Sequence, residues 1–312
     1  MKFSITIPAF KRTYLKECID SCLAQTYQDF EVIIVNDASP EDLDSIISLY
    51  DDKRIRYYKN ERNHGAYYVV KNWNKCLEYA TGDYIICMGD DDRLLPCCLN
   101  EYAKLISEYP ELKVFHGWTE IIDENSQFVS FQYPRPIWES VYGLIWSRWK
   151  YRHDQYIGDF LFKIDDLRKE GGFYMLPLAW GSDDITVVRA ACNLGIANTQ
   201  TPCFQYRRNR QTISSTGNAL VKIDAICQEQ KWYQSFLVKE PTDEMDKRYF
   251  RLINRIENTF FQRKKEVIVA QDIYDHGIYR IICWINKRKQ YGLCVKRIIR
   301  GYIRLFIHKR CK

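Results

Sequence analysis

Apolar residues recur through the first third of the chain in two alternating periods. Residues 4–7 form a short run of β-formers closed by Pro8. From Thr13, placed as an N-cap, Leu15, Cys18, Ile19, Cys22 and Leu23 return at helical spacing on one face. Residues 31–35 are almost wholly apolar after Glu31, as a strand covered on both faces requires, and Asn36-Asp37-Ala38-Ser39-Pro40 ends them in turn chemistry. A helix through Tyr50 is expected next, then a strand at 55–58. A helix from about Ala66 to Ala80 stops at Thr81-Gly82, and residues 83–88 read as a fourth strand. Gly89-Asp90-Asp91-Asp92 stands directly at its carboxyl end.

This alternation predicts an α/β fold: a doubly wound, mainly parallel sheet flanked by helices, with right-handed crossovers. Open sheets of this kind bind ligands outside the carboxyl ends of their strands, which puts Pro8, Asp37 and the acidic triplet along one edge. The pattern then loosens. Pro134 and Pro136 flank a loop rich in Trp and Tyr, residues 163–170 read as a helix ending at Gly171-Gly172, and a helix starts near Asp183 with Ile185, Val188, Arg189 and Cys192. After Gly217 the chain reads as helices with basic faces, with a β-signal only at 266–270. The expected division is a domain over 1–217, in halves 1–117 and 118–217, and a helical basic extension over 218–312.

Composition adds three points. Hydrophobic residues make up 46% and charged residues 28% of the 312, so a sizeable core is affordable. Aromatic residues reach 15%, and such rings can line sugar pockets as well as fill a core. The 12 cysteines lie scattered on apolar faces, with no CxxC pair and no zinc-type spacing, so buried free thiols in a reducing cytosol are the simpler account. The chain opens on strand-forming residues and no apolar run nears the ~20 needed to span a bilayer, so neither a signal peptide nor a transmembrane helix is expected.

The net charge of +6 is concentrated at the end: residues 276–312 contain no Asp or Glu. Val295, Ile298, Ile299, Tyr302, Ile303 and Phe306 recur there at helical spacing, between Lys296, Arg297, Arg300 and Arg304. Two readings stay open for this segment. A basic amphipathic helix suits an anionic membrane surface, with 287–312 as the contact, and it equally suits packing on the rest of the chain with its charges solvated. Nucleic acid is not an expected partner, because no recognisable module accompanies the basic residues.

The sharpest chemical signal is Asp90-Asp91-Asp92. Three consecutive carboxylates repel one another, and either solvent or a hard divalent cation must relieve them. The preceding apolar strand and the following Arg93-Leu94-Leu95-Pro96 favour a ligand site. A second pair, Asp183-Asp184, opens a helix, where the dipole alone would favour it. Beside a metal site it also offers a general base for a hydroxyl nucleophile.

In order and spacing, the chain resembles family 2 glycosyltransferases of the GT-A fold. The blocks are Ile7-Pro8-Ala9-Phe10-Lys11-Arg12, Val35-Asn36-Asp37-Ala38-Ser39, Asn63-His64-Gly65, Gly82-Asp83-Tyr84-Ile85 and Gly89-Asp90-Asp91-Asp92. Gly171-Gly172-Phe173, Ser182-Asp183-Asp184 and Tyr206-Arg207 with Ser214 extend it more loosely. The resemblance implies a nucleotide-sugar-binding half over 1–117 and an acceptor-binding half over 118–217. Pro8, Phe10 and Arg12 would border the nucleotide, Asp37 would bind its uracil or ribose, and Asn63, Gly65 and Lys71 would lie near base and diphosphate. Asp91 would be the principal ligand of Mn²⁺ or Mg²⁺, with Asp92 and Asp90 in support. Asp184 matches the residue that deprotonates the acceptor, with Asp183 in place of the commoner Glu. Two further departures are Gly89, where the family usually has Asp, and Asn209, where a His is frequent.

The resemblance thus implies an inverting transfer from a nucleotide diphosphate donor, of UDP-sugar type, to a glycan or lipid-linked glycan in surface polysaccharide biosynthesis. A cytoplasmic protein, peripheral on the inner face of the membrane, would suit it. Two other classes compete. A silent GT-A-like scaffold or glycan-binding protein would not need both Asp91 and Asp184. A sugar-phosphate nucleotidyltransferase would need a glycine- and Arg/Lys-rich phosphate loop, which residues 5–12 lack.

Overall fold

A computed structural model describes residues 1–191, 194–209 and 218–310, with the side chains of 304 and 306–310 left aside. Cys192, Ser214, Gly217 and Lys312 lie outside the described residues, as do the side chains of Arg304, Phe306, Lys309 and Arg310. The chain forms two compact units, Met1–Met175 with Ser182–Thr212, and Leu176–Gly181 with Ile213–Lys312.

In the first unit, ten strands among the described residues join one sheet. In chain order they are β1 (Phe3–Ala9), β2 (Phe30–Asn36), β3 (Ile55–Lys59), β4 (Tyr84–Cys87), β5 (Arg93–Leu94), β6 (Val114–Ile122), β7 (Phe128–Phe131), β8 (Trp138–Glu139), β9 (Phe160–Lys163) and β10 (Ile196–Arg207). The spatial order is β3-β2-β1-β4-β9-β6-β10-β5, with β7 on β6 and β8 on β10. The β3-β2-β1-β4 half is parallel throughout, while β9 runs antiparallel to both β4 and β6, and β10 lies parallel to β6. The four strands of the parallel half are those expected from the sequence, each lengthened or shortened by a residue or two at its ends.

The parallel half carries its core on both faces. Phe3, Ile5 and Ile7 of β1 and Val32 and Ile34 of β2 are fully buried, against Leu15, Cys18, Ile19 and Cys22 of the helix Leu15–Leu23. That helix has Tyr14 as its N-cap with no side-chain capping bond, so Thr13 does not cap it. Glu31 is the one acid inside the β2 run, and it ties neighbouring strands together. It accepts from Ser4 Oγ at 2.7 Å, Thr81 N at 2.7 Å and Arg56 Nη1 at 2.8 Å. Burial alone would raise its pKa, but these donors outweigh it and hold the carboxyl down to about 2.

Three expectations change. The helix through Tyr50 is only Asp44–Ile47, because turns on both sides leave a single buried anchor, Ile46. The helix expected from Ala66 begins as a 3-10 turn, Ala66–Tyr68, before Val69–Tyr79. Residues 266–270 are no strand. They lie inside the helix Glu244–His276, where Phe261, Lys265, Val269 and Ile273 are buried at intervals of one turn, so helical burial overrides the local β-branched run.

In the second unit, Trp284 of the helix Arg280–Tyr291 is buried and donates to Asp272 Oδ2 at 2.7 Å, beside Arg280 at 2.8 Å. The terminal helix Val295–Arg310 packs Ile298 inward, 2% exposed. A Cβ on Gly301 would come within 2.7 Å of Glu266 Cγ, so glycine is what lets the two helices approach. Packing therefore accounts for one face of the terminal helix. Ile299 and Ile303 remain 42% and 50% exposed on another. Among the described residues no helix is long and apolar enough to cross a membrane.

Candidate active site

The register of the parallel strands brings the expected residues to one edge. Ala9 lies opposite Asn36, and Thr6 opposite Cys87, so β1, β2 and β4 release Phe10, Asp37 and residues 89–92 side by side. Backbone bonds seal the junction: Asp37 N donates to Ala9 O at 3.0 Å and Met88 N to Thr6 O at 3.0 Å. The amides of Phe10 and Lys11 then donate to one oxygen of Asp90 at 2.7 and 2.6 Å.

The triplet divides its work. Asp90 and Asp92 are 8% and 6% exposed and act as internal acceptors, Asp92 Oδ1 taking Arg207 N at 3.0 Å. Burial, then the charge of Asp91, pushes Asp90 up to about 6 and drives Asp92 upward as well. Asp91 Oδ2 accepts from Asn209 Nδ2 at 2.6 Å. A Cβ at Gly89 would stand 2.9 Å from Asp91 Oδ1 and 3.0 Å from Asp92 Oδ2, so glycine opens the space into which the carboxylates curl.

Arg207 pins this loop from below. It is fully buried, donates from Nε to Asp91 O at 2.7 Å and from Nη2 to Glu17 Oε2 at 2.9 Å, and lies 4.1 Å from the centroid of the Tyr14 ring.

The nucleotide-side expectations land unevenly along the edge. Asp37 is buried and its carboxylate accepts from Asn60 Nδ2 at 2.8 Å and His64 N at 3.1 Å, with the His64 ring 2.6 Å away. It therefore ties the loop of Asn63 and Gly65 to β2. Asn63 Oδ1 accepts from Gly65 N, and Gly65 turns with φ 73°. Lys71 Nζ sits 4.4 Å from the Tyr68 ring centroid, beside an exposed Tyr67. Phe10 is 39% exposed at the end of β1, while Pro8 stays in the ladder opposite Val35. Arg12 is held at the start of the helix Asp44–Ile47, through Asp42 O on the preceding loop at 3.1 Å and Ser45 Oγ in the helix at 3.3 Å.

Asp183 and Asp184 begin the helix Ser182–Ala191, where the dipole favours negative charge. Asp184 is 4% exposed and faces Arg148 of the helix Val141–Trp149, whose Nε donates to Oδ1 at 2.8 Å. Behind this pair lies a buried polar cluster of Arg135, Glu139, His153, His116 and Asp159. Burial and the charge of Arg135 hold His116 down to about 4 and His153 to about 3, so both rings are neutral near pH 7.

Tyr206 of β10 is a largely buried phenol. Burial raises the pKa of Tyr206 on β10, and the charges of Asp92, Asp91 and Asp183 raise it further. Its ring stacks on Tyr156 with centroids 3.6 Å apart.

Sequence reasoning passed over Arg148 altogether, and it named His64, Tyr206 and Arg207 only inside motif blocks, without a role for each. The blocks Asn63-His64-Gly65 and Tyr206-Arg207 were the local signals that could have found them, and Arg148 had none.

Among the described residues no group of three or more His, Cys, Asp or Glu converges as a ready-made metal cluster. The acidic loop nevertheless fits a hard cation of the magnesium type, which takes one or two carboxylates and completes its shell with water and substrate phosphates. The strain that burial and Asp91 place on Asp90 and Asp92 is what such a charge would relieve.

The family model for glycosyl transferase family 2 matches residues 4–164. A glycosyltransferase of Methanocaldococcus jannaschii is 37% identical over 119 residues, 37% of this chain and 40% of that protein. The GalNAc(5)-diNAcBac-PP-undecaprenol beta-1,3-glucosyltransferase of Campylobacter jejuni is 33% identical over 112 residues, 34% of this chain and 35% of that protein. The chain thus spans 40% or less of the length of these relatives. Among solved structures, residues 1–349 of S. aureus TarS in complex with UDP-GlcNAc share the fold, with a TM-score of 0.67 at 16% identity over 97% of this chain and 89% of that one. With a family match running from β1 through β9 and taking in the whole acidic loop, the chain belongs to glycosyl transferase family 2.

Proposed function

We propose that the chain transfers a sugar from a nucleotide diphosphate donor, of UDP-sugar type, to a hydroxyl of a glycan or lipid-linked glycan in surface polysaccharide biosynthesis. The observation that carries this reading is the placement of Asp90, Asp91 and Asp92 at the carboxyl edge of the parallel strands, with Asp184 at a helix start bonded to Arg148. The donor would lie along that edge, its base near Phe10 and the loop of Asn63 and Gly65 and its diphosphate toward Asp91. The UDP-GlcNAc held by TarS, which has this fold, supports a UDP-sugar here. The undecaprenol-linked substrate in the name of the Campylobacter relative supports a lipid-linked acceptor.

The reaction is a single in-line displacement with inversion. The acceptor oxygen attacks the anomeric carbon, the bond to the diphosphate oxygen breaks, and Asp184 takes the hydroxyl proton. Arg148 orients Asp184, and the loop pinned by Arg207 fixes the diphosphate end. Asp91 and Asp92 are the residues that would hold Mn²⁺ or Mg²⁺, which when bound neutralises charge gathering on the leaving diphosphate.

Thermal unfolding against a panel of nucleotide sugars, with and without Mn²⁺, tests the reading. A donor at 100 times its Kd adds about 2.7 kcal/mol. The expected result is a rise in Tm for one UDP-sugar that depends on Mn²⁺ and is lost in Asp91→Asn. A panel with no stabilising nucleotide sugar would count against the proposal.

A membrane contact through 287–312 is the second part of the reading. Ile299 and Ile303 stand 42% and 50% exposed, in a stretch without one acidic residue. Each Lys or Arg near an anionic surface contributes about 1 kcal/mol. Sedimentation with phosphatidylserine vesicles should therefore retain the protein and release it when Lys296, Arg297 and Arg300 become Gln. Equal retention of both would rule this contact out.

A further inference from the structure

Arg148 sits at the end of a helix whose purpose in the fold is clear. Ser140 caps it by accepting Gly143 N at 3.0 Å, and Val141, Leu144, Ile145 and Trp149 bury its apolar side. Arg148 turns the other way. Its guanidinium is largely buried, at 23% exposure, and meets a carboxylate that is 5% exposed. Nε donates to Asp184 Oδ1 at 2.8 Å, Nη2 approaches Oδ2 at 3.5 Å, and Nη1 donates to His153 O at 3.3 Å. Three anchors hold the planar fork, and one of them is backbone.

Charged groups lie close to this pair. Asp183 precedes Asp184 on the same helix, and Asp154, on the loop after the Arg148 helix, lies 3.9 Å from Arg148. His153 and, from β6, His116 are neutral, so neither supplies a positive charge. Arg148 is a cation bonded directly to the carboxylate. A buried carboxyl without such a partner shifts toward the neutral acid, while a guanidinium in contact lowers it by about 1–3 pH units. The influence is mutual. Burial works against the charge of Arg148, yet Asp184 first, then Asp183 and Asp154, hold it above its ordinary value. A lysine would keep the charge but lose the fork that fixes the carboxylate plane.

We infer that Arg148 is a positioning residue for the transfer reaction, keeping Asp184 ionised and holding its carboxylate in the orientation that receives the acceptor proton. This rests on Asp184 as the base. An inert structural pair would move only the stability and the protonation midpoint of Asp184, whereas this role also moves the acid limb of the rate profile.

The test follows the Asp184 carboxyl carbon by ¹³C NMR in aspartate-labelled protein, its signal assigned by its loss in Asp184→Asn. In Arg148→Gln the midpoint should rise by about one pH unit or more. In Arg148→Lys it should stay near the parent value. Release of UDP from UDP-GlcNAc, with water as acceptor, is read across pH on the same proteins. The acid limb of kcat/KM should move with the midpoint in Arg148→Gln, with KM for the donor unchanged. In Arg148→Lys the limb should stay while kcat falls about tenfold.

An unmoved midpoint in folded Arg148→Gln overturns the inference. Should that variant fail to fold, Arg148→Lys decides, because parental kcat there overturns the role of the fork. Asp184→Asn keeps the two levels apart. Parental UDP release in Asp184→Asn defeats the base assignment and this inference with it. Loss of release there, alongside an unmoved midpoint in Arg148→Gln, defeats the inference alone.

Discussion

Replacing Asp184 with Asn is expected to lower kcat for transfer about 10³-fold while donor affinity stays within a few-fold of the parent. A positioned general base contributes roughly 10²–10⁴ in rate, and asparagine keeps the shape of the side chain while losing the lone pair that takes the proton. The substitution also removes the negative partner of Arg148. Breaking a buried pair costs about 3–5 kcal/mol, and here Asp154, 3.9 Å from Arg148, offsets part of that. Activity must therefore be read on protein whose Tm shows it folded, with donor binding measured separately. Asp183→Asn should lose far less. A loss below tenfold for Asp184→Asn, or the larger loss at Asp183, would place the base elsewhere.

The second large effect is on stability. Arg207→Met should cost about 3 kcal/mol, because a fully buried guanidinium is removed from two backbone carbonyls, a hydroxyl and a carboxylate. For a unit of this size that corresponds to a drop in Tm of roughly 6–12 °C. Methionine fills much of the volume, so the loss reports mainly the polar contacts. The backbone bond from residue 207 to Asp92 survives the change, so the acidic loop should loosen without detaching. Weakened binding of the nucleotide sugar should accompany the lower Tm. An unchanged Tm would show that the loop is held without the Arg207 side chain, by its own turns, the Phe10, Lys11 and residue-207 amides and Asn209.

The parallel half of the fold was legible because its signals are local. Buried parallel strands are near-continuous apolar runs, and residues 31–35 and 83–88 announce themselves without reference to the rest of the chain. β10 was not legible. Its sequence, IANTQTPCFQYR, carries polar residues at buried positions and a proline that interrupts the ladder. Asn198 is fully buried and Thr199 nearly so, and partners far along the chain accommodate them: Asn198 donates to Pro136 O at 2.8 Å, and Thr199 Oγ1 accepts from Trp118 N at 2.8 Å. A window of a few residues cannot contain those partners.

The site divides along the same line. By itself the sequence determined which carboxylates stand at strand and helix ends, because turn chemistry, strand length and helix starts are settled by neighbours. It placed Asp90, Asp91 and Asp92 after β4 and Asp183 and Asp184 at a helix start, where the structure has them. Only the tertiary structure decided what each carboxylate does. Asp90 and Asp92 became internal acceptors, Asp37 became a tie between β2 and the His64 loop, and Asp184 acquired Arg148. Arg207 reaches Asp91 across 116 positions, and Asn209 reaches it across 118. Propensity and periodicity act over a few residues, whereas a buried charge is stable only where folding brings a partner to it, and that partner is chosen by the path of the whole sheet.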